Sequence, residues 1–340
     1  MKAISLQEPE KFKIIDLPNP EDPKPNEALV KVHNVGICGT DISGYYGKMP
    51  LMSYPRILGH ELGVEVIAIG KNVTNIKVGD RCSIEPYMNC MNRCIACNRN
   101  APNCCSSLKV LGVHTDGGMR PEFLIPARKL HSSSNLTFEQ LALVETLGIG
   151  SHATDRGAPT EADTVLIIGA GPIGLATFEF VKLTGARTIF MDLNRERLNF
   201  TKDIMHCDHT IIAEGNIMEK IASLTNGDLA NIVFDATGSN KSMSEAVNYV
   251  APAGTLVYVG LTAKDISFQH VSIHRPELTI KASRNSLPEN FDRIISLIEK
   301  GKIDTKPWIT HRSNFDSIIE NFPSYANLNS GVIKAVLSIE

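Results

Sequence analysis

Residues 165–186, VLIIGAGPIGLATFEFVKLTGA, constrain the fold more than any other stretch of the chain. An apolar strand runs into a helix through Gly169, Gly171 and Gly174, in G-x-G-x-x-G spacing. The first glycine permits a tight turn, the second lets a pyrophosphate approach the backbone, and the third lets the helix lie close on the strand. Unpaired N–H groups at the helix start then favour an anion. Around this unit, apolar strands at 165–168, 188–192, 210–212, 231–235 and 255–259 alternate with segments of helical period. Such alternation predicts a doubly wound parallel sheet, an α/β fold. Asp192 ends the second strand, where a carboxylate accepts hydrogen bonds from a ribose, so the expected cofactor is NAD. Arg197, five residues on, leaves NADP open. Pro172 and Ile173 at the helix start, with Thr237 and Gly260 after the fourth and fifth strands, complete the expected cofactor contacts.

At 340 residues the chain exceeds what one core supports, so two domains are expected. The first 150 residues read as short strands and loops. A formal charge of -3 gives no long-range pull toward nucleic acid, and the expected partners are small molecules. The N-terminus lacks the apolar core of a signal peptide and no run is long enough to span a bilayer, so a cytoplasmic protein with no membrane contact is expected.

Five of the eight cysteines fall within residues 90–105. In a reducing compartment such crowding predicts metal binding over disulfides. Cys90, Cys94, Cys97 and Cys105 have separations that let four thiolates converge on zinc, with Cys104 the alternative to Cys105. Four thiolates close the coordination sphere, which makes that zinc structural. A redox dithiol built on Cys94 and Cys97 is the alternative reading.

Three further segments, VGICGTD around Cys38, GHE at 59–61 and VETLGIGSHA around Glu145, precede the glycine turn. With GDR, DGG, the cysteine lobe and GAGPIG, they resemble the zinc-dependent medium-chain dehydrogenase/reductase family, in particular its sorbitol dehydrogenase-like branch, which includes polyol and L-galactonate dehydrogenases. The resemblance covers nearly the whole chain. One departure is the Cys90–Cys94 spacing of four, where the family usually has three. The resemblance implies a mostly β, GroES-like catalytic domain at 1–152 and 288–340, with a Rossmann domain at 153–287. It implies a second, catalytic zinc on Cys38 and His60, with Glu61 or Glu145 as the carboxylate ligand. A thiolate with two carboxylates would leave that zinc site net negative, so only one Glu is expected to bind at a time. Thr40 is the expected hydroxyl relay and Asp41 the expected partner of His60. Tyr45, His114 and Arg284 are expected beside the substrate, a polyol, sugar acid or sugar derivative oxidised with NAD. Homodimers or homotetramers are implied. Two rivals are a zinc-free quinone reductase on the same scaffold and a zinc-knuckle protein that binds nucleic acid. Between residues 85 and 110 the latter would have only Arg93, Arg99 and Lys109 as basic contacts.

Overall fold

The computed structural model describes residues 1–327 and 330–339. The chain divides into two compact units: Met1–Glu145 together with the chain from Leu287 onward, and Thr146–Ser286. The first crossing falls inside one continuous helix, Phe138–Gly157. No break in composition marks it, and the expected boundary after residue 152 lies further along the same helix.

The second unit is a parallel sheet in which Thr164–Ile168 and Ala230–Asp235 are the central neighbours. Arg187–Asp192 and then His209–Ile212 extend one side. Val250–Tyr258 and then Thr279–Ala282 extend the other. The strand order reverses between the two central strands, the point at which open α/β sheets bind ligands beyond their C-terminal ends. The central strands are buried on both faces, which explains why the VLII and IVFD runs read as near-continuously apolar. Gly174 is required here: a Cβ on it would meet the Gly169 carbonyl oxygen at 1.8 Å.

Among the described residues the first unit builds a seven-stranded sheet with an antiparallel centre. Glu27–Ile37 pairs with Glu61–Ile69 on one side and with Lys334–Ser338 on the other. Val30, Val32, Val35, Val64, Val66 and Leu337 supply much of its core. An N-terminal hairpin, Lys2–Glu8 with Lys11–Asp16, lies outside this sheet and pairs with Arg56–Ile57. No helix among the described residues is long and apolar enough to cross a membrane.

Candidate active site and metal centres

The cysteine lobe hangs on a two-stranded ribbon, Tyr87–Met88 with Lys109–Val110. Sulfurs of Cys90, Cys94, Cys97 and Cys105 all lie within 4.8 Å of one another. Cys104, at the end of the short turn Pro102–Cys104, is exposed. Cys90 and Cys97 sulfurs are 3.6 Å apart, and those of Cys94 and Cys105 3.9 Å. A zinc–sulfur bond of about 2.3 Å implies a tetrahedral S···S edge of about 3.8 Å, so the cage fits zinc and is far too wide for disulfides. The extra residue between Cys90 and Cys94 is absorbed by consecutive left-handed residues, Met91 at φ 50° and Asn92 at φ 63°. Backbone N–H groups of Cys97 and Ser106 pull the Cys94 thiol down to about 5, while burial and the neighbouring Cys94 and Cys90 sulfurs push Cys97 up to about 12. Four sulfurs this close do not all ionise without a cation among them.

The second cluster forms where three strands meet. Cys38 caps the helix Gly39–Tyr45, and Asp41 accepts the Cys38 N–H at 2.9 Å. His60 immediately precedes, and Glu61 opens, the strand paired to Glu27–Ile37, with Gly36 opposite Glu61. Only glycine fits there, since a Cβ on Gly36 would stand 2.1 Å from the Glu61 carboxylate. Donor atoms of Cys38, His60 and Glu61 lie within 4.8 Å of one another. His60 is buried, and its Nδ1 has no hydrogen-bond partner but faces Asp41 Oδ1 at 3.6 Å. That arrangement holds the proton on Nδ1 and turns Nε2 toward the thiol, as a metal-binding imidazole requires. Burial works to lower the His60 pKa, but Asp41, the Cys38 sulfur and Glu145 outweigh it and raise it well above its ordinary value. A half-buried thiol converging with a buried imidazole and a buried carboxylate is a donor set that fits zinc.

Glu145, 4 % exposed, stands near this cluster but outside the donor-to-donor distance that unites the other three. Burial raises its pKa, and a hydrogen bond from the Tyr87 hydroxyl works against the rise. Two side chains that the sequence does not single out complete the centre. Tyr87 is one. The other is Lys334, whose Nζ contacts Glu61 Oε1 at 2.6 Å and Oε2 at 2.7 Å, both side chains being buried. A lysine within the apolar stretch VIKAVLSI was the available signal.

The remaining candidates separate. Thr40 is half-buried in the first turn of the helix that Cys38 caps. Tyr45 is 7 % exposed and belongs to the core, its ring stacked on Phe12 at 5.4 Å. His114 is half-buried, and its Nδ1 accepts the Val110 N–H at 3.1 Å. Arg284 is exposed and follows the last strand of the second unit.

In the second unit the residues expected around a dinucleotide cluster at the strand reversal. Gly169 takes φ +97°, and a Cβ there would lie 3.1 Å from the Thr237 methyl. Gly260 abuts the Gly238 nitrogen. Pro172 and Ile173 open the helix Pro172–Lys182. Asp192 accepts N–H bonds from Ala170 at 2.6 Å and Asn194 at 2.7 Å, which fixes its carboxylate beside the glycine turn. Arg197 Nη1 lies 3.5 Å from where a Gly171 Cβ would stand, so its charge also lies over that turn.

Residues 24–135 match the model of the alcohol dehydrogenase GroES-like domain, and residues 172–300 that of the zinc-binding dehydrogenases. The chain is 34% identical to L-galactonate-5-dehydrogenase of Escherichia coli (strain K12) over 340 residues, 99% of each chain. It is 31% identical to D-arabinitol dehydrogenase 1 of Uromyces fabae, over 92% of this chain and 90% of that one. Among solved structures, a short chain alcohol dehydrogenase (RspB) from E. coli CFT073, complexed with NADH, superposes with a TM-score of 0.91 at 30% identity, covering 99% of both chains.

With both donor sets present, the purified protein is expected to carry about two zinc ions per chain by elemental analysis, and Cys94→Ser about one. One ion per chain in the unaltered protein would contradict the two-centre reading.

Proposed function

This chain belongs to the zinc-dependent medium-chain dehydrogenase/reductase family and is a nicotinamide-dependent dehydrogenase of CH–OH groups; from that premise we propose that it oxidises a secondary alcohol of a polyol or sugar acid, with NAD as the acceptor. The observation that carries this reading is the pairing of the Cys38, His60 and Glu61 donor set with a further buried carboxylate, Glu145. A carboxylate accepts a hydrogen bond from a hydroxyl vicinal to the reacting one, which a thiolate does poorly.

Cys38, His60 and Glu61 would hold the catalytic zinc, and Cys90, Cys94, Cys97 and Cys105 a structural one. Bound at the first centre, zinc would supply a Lewis acid that makes an alcohol hydroxyl more acidic. Asp41 keeps the His60 ring in one tautomer and orientation. Lys334 cancels the charge of Glu61, so that a thiolate and a carboxylate crowd the centre without leaving it strongly anionic. Glu145 orients the substrate through a second hydroxyl, and Thr40 passes the released proton toward water. His114 and Arg284 are the candidates for an anionic group on the substrate, Arg284 through bidentate pairing. The Tyr45 ring packs in the core against Phe12 and Phe322, which limits what it offers a substrate.

Asp192 gives the preference for NAD, because a 2'-phosphate would meet its carboxylate. Asp192→Ser is expected to raise the KM for NAD about tenfold, the loss of a charge-assisted hydrogen bond, and to improve NADP use through Arg197. An unchanged NAD/NADP ratio would remove Asp192 from the recognition site. The reading as a whole is tested by initial rates with NAD and NADP against polyols, aldonates such as L-galactonate, sugar phosphates and simple alkanols. Turnover concentrated on the polyols or aldonates is the expected result. Turnover confined to alkanols would overturn it.

A further inference from the structure

The Tyr87 side chain is 3 % exposed, and its hydroxyl donates to Glu145, itself 4 % exposed. Buried hydroxyls need a partner, but the choice of partner here joins two parts of the first unit that the reaction chemistry alone does not connect. Tyr87 stands on the ribbon that carries the cysteine lobe. It pairs with Val110, and the two arms run on into Cys90 and Cys105, where the Cys90 N–H donates to the Cys105 sulfur at 3.3 Å. On its other flank, the Glu85 N–H donates to the Lys129 carbonyl at 2.9 Å, and Lys129 Nζ forms a fully buried ion pair with the Glu85 carboxylate. The Leu111 N–H closes onto the Pro86 carbonyl at 3.1 Å. Tyr87 is thus held on both sides by backbone and ionic contacts, with little freedom to move away from the carboxylate.

A carboxylate on a helix has several side-chain rotamers, and one strong donor selects among them. We propose that Tyr87 is a positioning residue for Glu145, and that the four-cysteine lobe contributes to the reaction by keeping Tyr87 in place. The proposal rests on the reading of Glu145 as a substrate-facing group. It gives the closed metal centre a task beyond stability: its loss would release the ribbon, then Tyr87, then the carboxylate.

The test is a double-mutant cycle on the zinc-loaded enzyme, with kcat, KM for alcohol and for NAD, zinc content and melting temperature recorded for Tyr87→Phe, Glu145→Gln and the double variant. Phenylalanine keeps the ring and removes only the donor. Tyr87→Phe is expected to lower kcat about tenfold, in the range of lost supporting contacts around metal sites, with zinc content and the KM for NAD unchanged. The double variant is expected to be no slower than Glu145→Gln alone, because Tyr87 acts through Glu145. Wild-type kcat in Tyr87→Phe, or losses that multiply, would overturn the proposal while leaving the function intact. Wild-type kcat in Glu145→Gln would instead overturn the reading of Glu145, and this proposal with it. The lobe's part is read with Cys94→Ser, or Cys97→Ser should the first not fold. Either is expected to lose kcat by the factor seen in Tyr87→Phe, and adding Tyr87→Phe is expected to cost nothing more; a further loss would show that the lobe does not act through Tyr87.

Discussion

Cys38→Ser is expected to lower kcat on the order of a thousandfold, about 4 kcal/mol of transition-state stabilisation, while NADH binding measured by fluorescence titration stays the same. The two effects separate because the residues concerned lie in different units of the chain: Cys38 in the first, the glycine turn and Asp192 in the second. Serine matches cysteine in shape and keeps the cap on the helix Gly39–Tyr45, so the fold survives. What it lacks is a thiolate, and a neutral hydroxyl is a poor ligand for zinc at neutral pH. Zinc content is expected to fall by about one ion per chain, the cysteine cage keeping its own. Retained turnover with that ion gone would refute the catalytic role assigned to the Cys38, His60 and Glu61 set.

Lys334→Met is expected to give the largest loss of stability, about 3–5 kcal/mol in metal-free protein, because it leaves the Glu61 carboxylate buried without its cation. Glu61 is fully buried, and both of its oxygens lie within 2.7 Å of the lysine nitrogen. The cost comes from stranding a charge, more than from losing an attraction, so removing both charges together is far milder. Lys334→Met with Glu61→Gln is expected to recover most of the loss in urea unfolding followed by a probe in the first unit. If the single and double variants unfold at the same urea concentration, the pair is not the source of the effect.

How far the sequence discloses this molecule depends on how far apart the interacting residues lie along it. The glycine turn, the strand acid and the cysteine lobe are local patterns, and spacing alone makes each of them legible. Cys38, His60 and Glu145 need the family resemblance, because a single Cys, His or Glu means little by itself. Lys334 and Tyr87 escape both routes. Lys334 reaches Glu61 across 273 residues, and only the pairing of Lys334–Ser338 with Glu27–Ile37 brings them together. Tyr87 meets Glu145 across 58 residues, through a ribbon of two residues per strand that periodicity cannot detect. The choice between Cys104 and Cys105 turns on which way a short 3-10 turn points, and adjacent residues in such a turn face different directions. The domain crossing stays hidden because the helix Phe138–Gly157 runs through it without a glycine or proline break at Glu145.

The strand Lys334–Ser338 also sets an order of events at the ribosome. The contiguous segment Thr146–Ser286 has all its strands as soon as it emerges, and it is able to fold as a unit during synthesis. Its companion waits for a strand some 190 residues further along than Glu145, which at bacterial-to-eukaryotic elongation rates is a delay of roughly 10–40 s. Throughout that interval Cys38, His60 and Glu61 exist without their lysine and with one edge of their sheet open to chaperones or to a neighbouring nascent chain. Assembly of the Cys38, His60 and Glu61 cluster with its lysine therefore follows synthesis of this strand, and the segment Thr146–Ser286 precedes it.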